Sequence, residues 1–362
     1  MTDPYAPLGF RSGHRLPNRF MLAPLTNCQS NDDGTLSDAE HHWLTLRAQG
    51  GFGLTMTCAA HVQPHGRAFP GQLGICSDSQ LPGHRRLAAD IKAAGSIAIA
   101  QLHHGGSRCP EALIGVQPVS ASVTEAADAD TKTRALNHSE VEALRDDFIA
   151  AAVRAKAAGY DGVEVHGAHG YIVCQFLSSA TNQRQDAYGG SQENRERLLM
   201  EIVSGIAQQC GPEFTIGVRL SPERFGIELN EALHTSTRLI DTGLIDFLDI
   251  SLWDSFKEPV EEAHQGRSLL SYFAGLERKD VALTVAGKIH TADQVRAVLA
   301  EGIDFVTLGR AGILHHDYPR QMQNAANFEP VSLPVSRSYL RDEGLSDIFI
   351  DYMDKWKGFV AP

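Results

Sequence analysis

The stretch EVHGAHGY sets His166 and His169 three positions apart, with Tyr171 two positions further on. Two imidazoles and a phenol so spaced have three uses: packing groups in a core, two ligands of a metal ion, or donors to an electron-rich substrate oxygen. A metal site needs a third ligand, and the nearest candidates are His61, His103 and His104. These residue types alone leave all three open, and the elements that carry them bear on the choice.

Composition narrows the setting. The chain has 362 residues, 43% hydrophobic and 21% charged, the balance of a globular protein with ample core. A formal net charge of −12 with no basic face argues against nucleic acid and leaves a small-molecule substrate as the expected partner. No apolar run reaches the roughly eighteen residues that span a bilayer, and the N-terminus MTDPYAPLGFRSGHRLPNRF lacks the apolar centre of a secretory signal. Cys28, Cys58, Cys76, Cys109, Cys174 and Cys210 are scattered without a C-x-x-C pair. That fits reduced thiols in a cytoplasmic protein better than a disulfide framework or a cluster ligand set. Whether copies form a homo-oligomer stays open.

Short runs rich in Val, Ile, Leu and Phe predict strands at residues 20–26, 53–59, 96–101, 162–166, 215–220, 247–251, 282–286 and 305–308. Continuous apolar runs are what parallel strands covered on both faces show. Helical patterns lie between them. The segment NHSEVEALRDDFIAAAVRAKAAG predicts a capping box of Ser139 with Glu142 and a stop at Gly159; TADQVRAVLAEG repeats the device with Thr291 and Gln294, ending at Gly302. Eight alternations of strand and helix predict an α/β fold, a (β/α)8 TIM barrel, and no G-x-G-x-x-G follows a strand to suggest a dinucleotide fold. The expected barrel spans residues 1–329, with a polar lid or side excursion at 107–136 after the third strand and a C-terminal extension at 330–362.

Barrels of this kind place their chemistry at the C-terminal ends of the strands. Thr26, Gln101, His166 with His169, and Arg219 stand at the ends of strands one, three, four and five; Gly287 with Lys288 and Gly309 with Arg310 follow strands seven and eight. Glycines ahead of helices there fit either tight turns or a phosphate held by backbone N–H groups, with Arg310 adding a charge-assisted contact. Gln101 offers both donor and acceptor to a heterocycle edge, Arg219 a permanent cation, and Ala23, Pro24, Leu25, Thr26 and Ala59 a small, mostly apolar surface for a flat ring. A phosphorylated planar heterocycle that gains negative charge uses all of these, and reduced FMN is such a molecule.

NRFMLAPLTN, QLHHGG, EVHGAHGYIVCQFLSSATNQRQDAYGGSQENRERLL and FVTLGRA together resemble the old yellow enzyme family of FMN-dependent ene-reductases, over roughly residues 5–325. The resemblance implies an FMN-dependent NAD(P)H oxidoreductase that reduces activated C=C bonds. It implies that Ala23 to Thr26 line the flavin, that Ala59 and Gln101 contact its pyrimidine edge, and that Arg219 faces the end where charge accumulates on reduction. Gly287, Lys288, Gly309 and Arg310 would grip the phosphate. His166 and His169 would donate to a substrate carbonyl or nitro oxygen, and Tyr171 would protonate the α-carbon. NAD(P)H would reduce the same flavin directly, since the chain ends before any second nucleotide domain.

Three departures from the family pattern matter. Threonine stands at position 26, where some members carry a cysteine, and Cys28 stands where a tyrosine often meets substrate, so it is a pocket candidate or an inert thiol. The arginine usual after QLHHGG is displaced to Arg108 and carries no assigned role. Trp356 in the extension is a candidate for the aromatic group some relatives insert into a neighbour's site, although such tails more often dock on their own barrel. His41–His42 and His315–His316 read as surface or solvated helix residues. The alternatives are a same-family enzyme acting on nitro compounds or amines, or a non-redox lyase or aldolase, for which Lys288 is the lysine at a strand end.

Overall fold

The computed structural model describes residues 2–126, 131–325 and 327–362, so residues 127–130 of the predicted excursion lie outside the described residues. Eight parallel strands close a barrel: β1 Phe20–Leu22, β2 Leu54–His61, β3 Ile97–His103, β4 Gly162–Gly167, β5 Thr215–Leu220, β6 Phe247–Ser251, β7 Ala282–Ala286 and β8 Phe305–Leu308. β8 pairs with β1 and completes the ring. The four last strands have the predicted bounds. β1 is shorter than predicted: Ala23 N still donates to Leu308 O at 3.0 Å, and the ladder stops there because Pro24 has no N–H to donate; residues 24–26 become half-buried loop.

The barrel has two packed layers. Alternate residues such as Val163, Val165, Val218, Leu220, Leu248 and Ile250 belong to the outer core beneath the helices. Their neighbours Glu164, His166, Arg219 and Asp249 therefore face inward, since successive strand side chains point to opposite sides. The lower interior is apolar. Phe10, carried in by the antiparallel pair Leu8–Gly9 and Arg15–Leu16, stacks on Phe247 at 5.5 Å and meets Phe305 at 6.0 Å, with Met21, Met56 and Ile99 around them. Each such buried ring is worth about 1.5–3 kcal/mol, so the N-terminal segment plugs the barrel floor and the polar groups are left to the mouth.

The helices α1 Asp38–Gln49, α2 Leu81–Ala93, α3 His138–Ala158, α4 Gln192–Cys210, α5 Leu229–Asp241 and α6 Ala292–Ala300 cover the outside. α6 starts with the predicted Thr291–Gln294 capping box. α3 starts two residues earlier than predicted: Asn137 caps it and Glu140 answers, while Ser139 only donates to Asn137 Oδ1 at 2.8 Å. Asparagine is as good a cap as serine, and the earlier competent cap takes the helix. Gly159 ends α3 in the left-handed region, as predicted.

The excursion after β3 holds a short helix, Glu111–Ile114, and a two-residue parallel pairing of Val119–Ser120 with Arg134–Ala135. The C-terminal residues form two helices, α7 Arg337–Asp342 and α8 Asp347–Asp354, whose Leu340, Phe349, Ile350 and Met353 are buried against the barrel. His315 and His316, predicted as a solvated turn, are instead the seat of this extension. His315 is buried against Phe328 and its Nε2 accepts from Val331 N at 3.0 Å, while His316 pairs with Glu343 at 2.7 Å. A docking partner distant in sequence turns surface-looking histidines into packing groups.

Candidate active site

Backbone strain marks the mouth first. Seven non-glycine residues have clearly positive φ among the described residues, and six of them (Cys28, His169, Arg224, Phe225, Trp253 and Lys288) sit in loops leaving the C-terminal ends of β1, β4, β5, β6 and β7. Left-handed backbone costs a bulky residue about 1–3 kcal/mol and persists where the surroundings over-determine it, typically at functional sites. A groove of about 820 Å³ lined by Arg145, Arg154, Gly205 and Gln208 lies instead on the outer wall of α3 and α4, away from every strand end.

The predicted site residues lie in the last three residues of a strand or in the loop that leaves it, except Arg310, which opens the helix Arg310–Leu314 directly after β8. Strand register builds two inward polar rows. Ala59 pairs with Gln101 and Gln101 with Glu164; above them His166 pairs with Arg219, and Arg219 with Asp249. A register shift between Met56 and Ala59 brings Ala59 opposite Gln101, the re-aiming that a bulge performs beside a site.

Both rows are short of partners. Gln101 Nε2 donates to Glu164 Oε1 at 2.7 Å, which leaves Glu164 Oε2 buried without a hydrogen bond, as are both carboxylate oxygens of Asp249. Arg219 Nε lies 3.1 Å from Asp249 Oδ2, an ion-pair distance, yet the N–H is not aimed along that line and counts as unbonded. We take the contact as charge neutralisation without a directed bond. Burial, then Asp249, pushes the Glu164 carboxyl up toward its protonated form; burial also raises Asp249, and Arg219 opposes that. One guanidinium cannot neutralise two buried carboxylates.

The upper group is the imidazole–phenol cluster. The His166 ring lies 5.0 Å from His169, 5.1 Å from Tyr171 and 5.5 Å from His103. Ala168 N donates to His166 Nδ1 at 3.2 Å, so the neutral ring carries its proton on Nε2. His169 is held on three sides: its N–H donates to Ser221 Oγ at 3.0 Å, its carbonyl accepts from Arg108 at 2.6 Å, and its Nε2 meets Ser251 Oγ at 2.8 Å. Burial and neighbouring positive groups, Arg219 and Arg108 among them, push both imidazoles well below the usual histidine range, so both are neutral. Burial raises the Tyr171 phenol, and the Arg108 guanidinium, 4.8 Å from the ring centroid, works the other way.

His103, His104 and His61 do not complete a metal site. Among the described residues no three His, Cys, Asp or Glu groups converge to hold an ion, and burial depresses all three imidazoles. Cys28 is half-buried, with its thiol pushed up to about 11 chiefly by burial, the state of an unreactive thiol.

At the opposite side Gly287 packs where a Cβ would meet the Asp254 and Ser255 amides at 2.9 Å. Beside it Ser255 Oγ is buried with no partner. Lys288 pairs with Asp254 at 2.9 Å. Lys288 and Arg310 both act on His290, whose imidazole is lowered by burial first and then by these two cations. Glu164, Asp249, Ser251, Ser255 and His290 carried no role in the sequence reading. The carboxylates left a legible signal, a single acid alternating with Val, Leu or Ile in an otherwise apolar strand; the serines and His290 left none.

A family profile described as NADH:flavin oxidoreductase / NADH oxidase family matches residues 4–329. The chain belongs to this family. It is 38% identical over 313 residues to the "Probable NADH-dependent flavin oxidoreductase YqiG" of Bacillus subtilis, covering 84% of each chain. It is 32% identical over 341 residues to the "NADPH dehydrogenase" of Clostridium acetobutylicum, covering 90% of this chain and 95% of the relative. Other relatives are longer: the match to the "NADH:fumarate oxidoreductase" of Klebsiella pneumoniae, at 32% identity, takes in 89% of this chain and 36% of that protein. Among solved structures, the old yellow enzyme homologue from Zymomonas mobilis superposes with a TM-score of 0.81 at 27% identity, covering 96% of this chain and 99% of that one. The flavin oxidoreductase barrel is thus an old yellow enzyme barrel, and the enzyme is an FMN-dependent oxidoreductase using a nicotinamide donor. The mouth suits that cofactor: unbonded acceptors at Glu164 and Asp249 with the Arg219 cation for a heterocycle edge, and an unbonded hydroxyl at Ser255 with Lys288 and Arg310 nearby for a phosphate. No helix among the described residues is long and apolar enough to cross a membrane.

Proposed function

We propose that this flavin oxidoreductase reduces activated C=C bonds of α,β-unsaturated carbonyl or nitro compounds. The observation that carries the reading is the pair of neutral imidazoles 5.0 Å apart with the Tyr171 phenol 5.1 Å from His166, facing one side of the mouth. FMN, when bound, would supply the hydride chemistry that links a nicotinamide donor to the substrate β-carbon. The chain's residues do the rest. His166 donates from Nε2. His169 donates from Nδ1 when the Ser251 hydroxyl donates to its Nε2, so Ser251 sets the useful tautomer. Two such donors act as an oxyanion hole for the substrate oxygen, and neutral rings give up no proton there. Tyr171, with its proton held firmly by burial, protonates the α-carbon.

For the cofactor, Ala23, Pro24, Leu25 and Thr26 with Ala59 supply the ring surface, Gln101 and Arg219 the pyrimidine end, and Gly287, Lys288, Gly309 and Arg310 the phosphate, joined by Ser255. Cys28 borders the substrate side. The free state of all six cysteines fits a reducing, cytoplasmic setting. Purified enzyme should bleach anaerobically with NAD(P)H and recolour with cyclohexenone; bleaching by an amine, with no recolouring by any enone or nitroalkene, would reject the C=C reading. 4-Hydroxybenzaldehyde should add a long-wavelength band, because its phenolate oxygen mimics the enolate held by the imidazole pair.

A further inference from the structure

Two hydrogen-bond donors beside Tyr171 have no use in the reaction described above. The first is Arg108, which closes the single-turn helix Gly106–Arg108 after β3. The buried Gln175 amide fixes that turn: its Oε1 accepts from Ser107 N at 3.2 Å and its Nε2 donates to Ser107 Oγ at 2.8 Å. Gly106 is left-handed there, with φ +61°, and a Cβ would strike the same amide. The turn carries the guanidinium to the imidazole–phenol cluster, where it donates to the His169 carbonyl at 2.6 Å and lies 4.8 Å from the Tyr171 ring centroid. A guanidinium has further N–H groups to give. No carboxylate among the described residues pairs with it, in a chain whose net charge is −12.

The second donor is His103. Ile97 and Ile99 belong to the barrel floor, and Ala98, Ala100 and Leu102 to the outer core, so alternation turns Gln101 and His103 inward. The His103 ring lies 5.5 Å from His166 and 4.3 Å from Tyr171. Gln72 sets its tautomer. Gln72 Oε1 accepts from Ala68 N at 2.7 Å and Nε2 donates to Ala59 O at 2.8 Å, two backbone partners that fix which amide atom is which. The same Nε2 donates to His103 Nδ1 at 3.0 Å. Burial, then His61 and Arg108, pushes this imidazole down to about 3, so the ring is neutral and carries its proton on Nε2. That N–H, on the ring nitrogen remote from the backbone, is buried with no partner. A buried donor without an acceptor is costly, and it marks a place where a ligand atom can supply one.

We propose that Arg108 and His103 form a subsite for a second substrate oxygen, and that the enzyme takes α,β-unsaturated carboxylates. One carboxylate oxygen then lies on the His166–His169 pair and the other on Arg108 and His103. An enone brings one oxygen, which the imidazole pair serves. A carboxylate brings a second oxygen and a full negative charge that neutral imidazoles cannot balance. Reduction adds to that charge. Hydride adds at the β-carbon, the C=C electron pair moves onto the carboxylate as an enediolate, and Tyr171 delivers a proton to the α-carbon; the alkene gains two electrons and the nicotinamide donor loses them. A permanent cation against the ring of the proton donor meets the charge where it grows.

The inference rests on the imidazole pair holding the first oxygen, and the test separates the two. 4-Hydroxybenzaldehyde bound to wild-type holoenzyme is displaced, at fixed ionic strength, by benzoate or by benzamide, which has nearly the same shape and no charge. Fading of the long-wavelength band gives each affinity. Wild type without the band sinks the imidazole pair and the second-oxygen site with it. With the band present, Arg108→Met should lower the preference for benzoate over benzamide about tenfold, the size of one charge-assisted hydrogen bond. His103→Phe keeps a flat ring against Tyr171 and should lower that preference about threefold, the size of a weaker neutral bond. Tm and FMN content report whether each variant is folded and loaded. If Arg108→Met retains no FMN, Arg108→Lys decides in its place: it keeps the charge without the fork, and the preference should fall about two- to fivefold. An unchanged preference at either position overturns the inference. An equal loss of both ligands does the same, since it leaves the preference where it was and reports general damage to the mouth.

Discussion

At the scale of single residues, the site depends on which ring atom carries a proton. His166 has its tautomer set by a backbone N–H within its own loop, whereas His169 borrows Ser251 from β6. His166→Ala should weaken phenol binding by about two orders of magnitude, the usual worth of one oxyanion donor, read from the long-wavelength band. Ser251→Ala should lower phenol affinity while Ser251→Thr, which keeps the hydroxyl, restores it; equal affinity in all three proteins would remove Ser251 from the account. Because burial keeps both imidazoles neutral, phenol binding between about pH 5.5 and 8 should follow the ligand's own ionisation alone. A second titration near the free-histidine pKa would contradict the neutral pair. Tyr171→Phe should slow reoxidation by enones more than it slows flavin reduction, measured as separate half-reactions by stopped flow.

At the scale of elements, what positions the mouth is how α1, the segment after β8 and the extension lock together. Arg47 of α1 is fully buried, and its guanidinium donates to the carbonyls of Gly312 at 3.0 Å, Trp43 at 3.2 Å and Ile313 at 3.3 Å. Burial lowers its pKa to about 9, and Glu343 of the extension opposes that. Arg47→Met should cost about 3 kcal/mol or more in a denaturant titration, since it leaves several buried acceptors unpaired. It should also lower FMN retention, because Arg310 and the extension share that support. Arg341 on the exposed side of α7, paired with Asp347 at the surface, should tolerate alanine with under about 1 kcal/mol lost.

At the scale of the whole molecule, the barrel divides into an apolar floor and a mouth where buried charge collects. Glu164 and Asp249 are both held above the usual carboxylate range. A carboxyl raised in the folded state contributes stability in acid that is lost as the pH climbs through its folded pKa. Glu164→Gln apoprotein should therefore gain on the wild type as the pH rises from about 5 to about 9, seen as a Tm difference that widens with pH. A constant difference would mean that Glu164 is not raised. The N-terminal plug acts over the same distance, so Phe10→Ala should cost about 3–5 kcal/mol through the cavity left among Phe247 and Phe305.

The amino-acid sequence by itself determined the eight strands and their bounds to within a few residues, because fully buried parallel strands must be apolar on both faces. It also determined which polar residues stand at their ends, and the motif around His166, His169 and Tyr171 was specific enough to name the family. Tertiary structure decided the rest: that Ser251 orients His169, that Ser255 lies unbonded against Gly287, and that His315 seats the extension. A serine or a histidine looks alike in sequence on a surface and in a site. Only closure of the barrel, which brings β1, β4, β6 and the C-terminal helix to one mouth, gives these groups their partners.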